Sequence, residues 1–145
     1  MSSPTARPPL FIALEPSGAD ALGAPTCVAW ACAADAGVVT AAGFAAACRT
    51  IAALEETRAV YLRDPLFDAP RLDRLFAENG LRAPSAGRDW LLALAPFGQA
   101  RNFAAILEAA TESAADPTNP ALVLLEAYDE AAARAARRAG QTPVK

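Results

Sequence analysis

Histidine is absent from the 145 residues of this chain, and lysine occurs once, at Lys145. Without an imidazole there is no Ser-His-Asp triad, no Cys–His nucleophile, no histidine-ligated zinc and no imidazole pH switch. Without an internal lysine there is no phosphate-loop lysine and no Schiff base within the fold. Cysteine is scarce as well. Cys27, Cys32 and Cys48 form no C-x-x-C pair and cannot complete a four-ligand zinc site without a carboxylate. They read as reduced thiols of a cytoplasmic or nuclear protein. Charged residues make up only 20% of the chain, and the net charge is −3. The acidic pI of about 4.9 argues against general nucleic-acid binding.

Long uninterrupted apolar runs are also missing. The segment from Ala21 to Cys48 carries a single charge, Asp35, and is long enough to cross a bilayer. Its apolar content is mostly alanine and glycine, however, and Pro25, Gly37 and Gly43 punctuate it. A buried helix pair is the expectation, not a membrane span. The run Leu10 to Leu14 is too short for a signal-peptide core.

What is present is alanine, 39 residues of it, with arginine standing in for lysine. Coding bias in a GC-rich gene is the expected cause, and selective avoidance of lysine the alternative. Hydrophobic residues total 54%, enough to predict a folded chain, but alanine buries little area. The core therefore rests on Leu, Ile, Val, Phe and Trp, with Trp30 and Trp90 as expected anchors. The length suits one domain, expected over residues 10–139, between a Pro/Ser-rich segment 1–9 and a tail 140–145.

Leu10 to Leu14 is an unbroken apolar run between Pro9 and the turn Glu15-Pro16-Ser17-Gly18, which predicts a strand buried on both faces. Pro25 can open a helix running to about Asp35, with Gly37 as its stop. Thr40 can cap a second helix to about Glu56, with Phe44, Ala47, Ile51 and Leu54 on one face. Ala59 to Leu62 reads as a strand closed by Arg63-Asp64-Pro65. Asp68 with Pro70 marks a helix start and Asn79-Gly80 its end, with Leu72, Leu75 and Phe76 inward. Leu81 to Ala83 suggests a short edge strand, and Trp90 to Ala95 a further strand ended by Pro96-Phe97-Gly98. Gln99 to Ala115 is a helix with Phe103, Ile106 and Leu107 inward. After the turn Asp116 to Pro120, Ala121 to Glu126 reads as a last strand. Asp129 to Ala139 reads as a last helix stopped by Gly140, its acids first and its arginines 134, 137 and 138 last, as the helix dipole favours. The alternation predicts a small Rossmann-like open α/β sheet, mainly parallel, with helices on both faces. An all-α bundle, with the apolar runs absorbed into helices, is the alternative.

In an open parallel sheet ligands bind beyond the carboxyl ends of the strands. On this reading those ends bring together Ser17 and Gly18, Asp64, Pro96 and Gly98, and Glu126 as a candidate binding site. Ser17-Gly18 could offer a hydroxyl and N–H groups to an anion, although Glu15 beside them would repel phosphate. No motif calls for a cofactor or a metal.

The stretch Ala59-Val60-Tyr61-Leu62-Arg63-Asp64-Pro65-Leu66-Phe67, followed by Leu72, Leu75 and Gly80, resembles the sensitivity-to-red-light-reduced family. That family carries a strand ending in a Tyr-x-Asp-Pro-x-Phe type motif, then a helix ending in Leu-Gly. Pro96-Phe97, Ile106 to Ala110 and Leu122 to Leu125 stand where it has a Pro-His turn, a helix and a final strand. Its glycine-rich first turn is Glu15-Pro16-Ser17-Gly18 here, its histidine is missing, and Glu126-Ala127-Tyr128 replaces its Gly-Asn-Ser stretch. The resemblance implies a regulator of light, circadian or haem-related signalling, with no settled reaction. Together with the missing catalytic chemistry, it points to a non-catalytic regulatory or protein-interaction module with a protein partner. The alternatives are a structural subunit docking through the Ala131 to Ala139 surface, and a small-molecule binder or enzyme using Glu15, Asp64 and Glu126.

Overall fold

The computed structural model describes residues 7–15, 25–82, 88–114, 116 and 118–141. Five strands form one sheet in the order β3-β2-β1-β4-β5. They are β1 (Pro9–Glu15), β2 (Cys27–Ala31), β3 (Ala36–Thr40), β4 (Ala59–Leu62) and β5 (Arg88–Asp89). Among the described residues five α-helices accompany them: α1 (Phe44–Glu55), α2 (Pro65–Glu78), α3 (Leu91–Leu94), α4 (Phe103–Ser113) and α5 (Pro120–Gln141). The class is α/β, as expected, but the sheet is mixed. β1 pairs with β4, and β4 with β5, in parallel; β1–β2 and β2–β3 are antiparallel.

β1 is central, and both of its faces are covered. Leu10, Ile12 and Leu14 point to one side, into a core with Val28, Trp30, Ile51, Leu72 and Phe76 beneath α1 and α2. Phe11 and Ala13 point to the other, against Trp90, Leu94, Ile106 and Leu124 beneath α3, α4 and α5. The strict alternation of a strand and the double cover together explain the continuous apolar run. Helices thus lie on both faces, and Trp30 and Trp90 are core residues.

β4 has the expected bounds, and α1 buries Ala47 and Ile51 as its spacing requires. α2 begins earlier than Asp68, at Pro65, because proline suits a first turn whose N–H groups have no helical partner. Leu72, Leu75 and Phe76 face inward, and Gly80 closes the end at φ 71°.

Four expected elements differ. The helix expected from Pro25 to Asp35 is instead the β2–β3 hairpin. Its turn is Ala33-Ala34, closed by reciprocal backbone bonds between Cys32 and Asp35 (2.8 and 3.3 Å). Neither alanine is a usual hairpin-turn residue, so the local signal is missing. The strand expected at Trp90 to Ala95 is α3 with a following 3-10 turn; leucine favours helix, and the Asp89 carboxylate accepts the Leu91 N–H at 3.0 Å. The strand expected at Ala121 to Glu126 is the start of α5, which runs on through Gly140. Leu81 and Arg82 are not in a strand; the edge strand is β5. Phe103, expected inward, is 40% exposed with its ring against Trp90 (centroids 6.4 Å apart).

Gly37 shows why β3 needs a glycine there. A Cβ at this position would stand 2.5 Å from the Trp30 ring, whose Nε1 donates to Asp35 at 3.2 Å. Gly37→Ala should therefore cost about 1–3 kcal/mol through overpacking, read as a lower melting temperature with the fold retained.

Candidate functional site

β1 and β4 run parallel and adjacent, so their carboxyl ends open on the same edge of the sheet. The pairing stops at Ile12 opposite Leu62; beyond it β1 ends at Glu15, and Arg63 and Asp64 follow β4. Arg63 binds across the gap. Its Nη1 donates to Glu15 Oε2 at 2.9 Å, and its Nη2 to the Leu14 carbonyl at 2.7 Å. Asp64 lies one residue on, half-buried, and its carbonyl accepts the N–H groups of Phe67 and Asp68 in the first turn of α2.

Asp68 is fully buried. Its Oδ2 accepts the Leu14 N–H at 3.4 Å, beyond the last residue with which β4 pairs. Its Oδ1 accepts Arg71 Nη1 at 3.3 Å, and Arg71 Nη2 reaches the Glu15 carbonyl, also at 3.3 Å. Burial pushes the Asp68 carboxyl up to about 6; the Leu14 N–H, Arg63 and Arg71 oppose that rise, and Asp64 adds to it. Cys27 stands opposite Glu15 on β2. Burial and then Glu15 raise its thiol, with Arg63 opposing, so the neutral form is favoured over the nucleophilic thiolate.

The strand-end cluster is therefore Glu15, Arg63, Asp64, Asp68 and Arg71. Carboxylates at the ends of adjacent parallel strands suit the binding of a divalent cation that polarises a phosphoryl or carbonyl oxygen. Here Arg63 binds one oxygen of Glu15, Oε2, and Arg71 with the Leu14 N–H binds both oxygens of Asp68. Among the described residues no three acidic or thiol side chains converge as metal ligands.

No family model, curated protein or solved structure matches this chain. The chemistry open to the site follows from its own atoms.

Of the candidate binding site only Asp64 lies in this cluster, together with Glu15, a carboxylate of the enzyme alternative. Ser17 and Gly18 fall outside the described residues. Pro96 and Gly98 do not follow a strand; they belong to the 3-10 turn after α3, where Gly98 adopts φ 69°. Glu126 sits in the second turn of α5, on the opposite face from α2. It lines an open cleft of about 320 Å³ with Ala109, Ala110, Ser113, Asp129 and Glu130. The cause is common to all three: the elements expected to be the last two strands are helices.

Asp68 and Arg71 are site residues that the strand-end reading of the sequence does not reach. A signal exists nonetheless. Asp68, Leu72 and Leu75 follow the i, i+4, i+7 spacing of one helix stripe, so a carboxylate stands on the apolar face of α2 and needs a buried partner.

Asn119, in the sequence only one residue of a turn, is buried too. Its Oδ1 accepts the N–H groups of Ala121 and Leu122 at 2.9 and 3.0 Å, capping α5. Its Nδ2 donates to the carbonyls of Trp30 and Gly37 at 3.4 and 3.3 Å, tying α5 to the hairpin. On α5 itself, Arg134 and Arg137 both bind Glu130, at 2.8 and 3.3 Å. No described helix is long and apolar enough to cross a membrane.

Proposed function

We propose that this chain is a non-catalytic regulatory or protein-interaction module. The observation that carries the reading is the pairing of two of the three strand-end carboxylates with arginines of the chain itself. Arg63 binds Glu15 Oε2 and Arg71 binds Asp68 Oδ1, which leaves these carboxylates less free for a metal or substrate. The missing histidine, the single lysine at Lys145 and the raised Cys27 thiol remove the other common acid–base and nucleophilic groups. The regulatory character comes from the resemblance to the sensitivity-to-red-light-reduced family, and the partner is accordingly a protein.

A second reading has one observation in its favour. A buried carboxylate with a pKa of about 6, at a sheet edge, is suited to acid–base work or to cation-assisted hydrolysis. One experiment separates the two. Thermal melts are run with Mn²⁺, Mg²⁺, nucleotides, dinucleotides, S-adenosylmethionine and haem. A ligand at a hundred times its dissociation constant adds about 2.7 kcal/mol, roughly 5–10 °C for a domain of this size. The interaction module predicts no shift with any of them. A rise with Mn²⁺ that disappears in Asp68→Asn would overturn it in favour of the cation-dependent reading.

A further inference from the structure

The two edges of the sheet differ. β5 is two residues long, both charged, and a helix follows it directly. β3 is five residues long, Ala-Gly-Val-Val-Thr, with no charge, no proline and no bulge in its pairing to β2. Natural edge strands are ordinarily blunted by such features, because a bare row of N–H and C=O groups templates further pairing.

The phase of the β2–β3 ladder fixes which groups face outward. Cys32 and Asp35 exchange both backbone bonds. In an antiparallel pair, bonded and non-bonded residue pairs alternate. Trp30–Gly37 and Val28–Val39 are then the inward-bonded pairs, and Ala36, Val38 and Thr40 turn their N–H and C=O groups away from β2. Among the described residues nothing takes up those of Val38. The side chains of Ala36, Val38 and Thr40 share one face, and all are exposed, Val38 to 37%.

We infer that β3 pairs antiparallel with β3 of a second copy of this chain, about a two-fold axis at Val38. The edge is self-complementary in that register. Val38 exchanges both bonds with Val38 of the second copy, and each Thr40 N–H meets the Ala36 carbonyl across the axis. Gly37 lies opposite Val39. No charge opposes a like charge, because Asp35 falls opposite Ala41. The arrangement covers the exposed Val38 side chain with its own copy and joins the two sheets into one, an isologous interface.

The test is the mass of the full chain in solution by sedimentation from low micromolar to near-millimolar concentration. The wild type should pass from monomer to dimer, with concentration-dependent protection of the Val38 and Thr40 amides from hydrogen exchange. Val38→Lys and Val38→Glu each place like charges face to face across the axis and should stay monomeric, with melting temperatures equal to that of the dilute wild type. Mixed in equal amounts, the two variants should recover the dimer, since opposite charges then face each other. A dimer that persists in both variants, or a variant mixture that stays monomeric, overturns the inference. A wild type that is monomeric throughout also overturns it, and leaves the edge to an extended segment of a different protein.

Discussion

Asn119→Ala should lower the stability of the chain by about 2–4 kcal/mol, roughly 10 °C in melting temperature. Two losses add. The N-terminal N–H groups of Ala121 and Leu122 lose their acceptor, which costs about 1 kcal/mol for an ordinary cap. The carbonyls of Trp30 and Gly37 lose a buried donor, at about 0.5–1.5 kcal/mol for each bond. Both kinds of bond agree on one orientation of the amide, with oxygen toward the helix and nitrogen toward the hairpin. Asn119→Ser separates the two losses. Serine keeps a capping oxygen and is too short to reach the hairpin carbonyls, so its melting temperature should fall between those of the wild type and the alanine variant. Equal melting temperatures for the alanine and serine variants would show that the cap contributes nothing, and an unchanged alanine variant would remove both contributions.

Asn119 also marks the limit of what local pattern conveys. Where an element is decided by its own residues, the amino-acid pattern is enough to read it. The apolar run of β1, the Arg63-Asp64-Pro65 stop after β4, and the inward faces of α1 and α2 are all legible in the sequence. Where tertiary pairing decides, the elements are not legible. Ala33-Ala34 makes the hairpin turn because β2 finds β1, with Phe11 opposite Ala31 through Glu15 opposite Cys27. Nothing in two alanines specifies it. The start of α5 is ambiguous for a different reason. A five-residue apolar run fits a strand or a buried helix equally, and only the Asn119-Pro120 cap and the 121, 124, 127 and 131 spacing point to helix. Misassigned elements disperse the candidate site in turn. Asp64 falls in the right place because β4 does. Pro96, Gly98 and Glu126 follow two expected strands that are helices. Asp68 and Arg71 are legible in principle, since a charge on an apolar stripe requires a partner.

The buried pair gives a second large effect. Arg71→Met should destabilise the chain by about 2–4 kcal/mol near neutral pH: the fully buried Asp68 carboxylate loses its guanidinium partner, a loss that proton uptake caps at about 1.4 kcal/mol at pH 7, and the Glu15 carbonyl loses a charged donor. The loss should depend on pH in a definite direction. Asp68 titrates at about 6 in the folded chain and at the ordinary 3.8 when exposed. Between those values the folded state holds more protons than the unfolded state, so stability falls as pH rises through the window and levels off above about 6. The difference amounts to about 3 kcal/mol at 1.36 kcal/mol per pKa unit. Removing Arg71 takes away a charge that favours the ionised form. The carboxyl then titrates higher still, and the window extends upward toward neutrality. Below it, where Asp68 is protonated in both proteins, the charge part of the penalty should vanish, leaving the packing of the arginine stem and its bond to the Glu15 carbonyl. Asp68→Asn removes the titration itself. Urea unfolding at a series of pH values should give a flatter profile between about 4 and 6 in this variant than in the wild type. A variant profile parallel to the wild type would mean that Asp68 is not the group that titrates. An Arg71→Met penalty independent of pH would mean that the arginine acts through packing alone, not by neutralising the carboxylate behind the sheet edge.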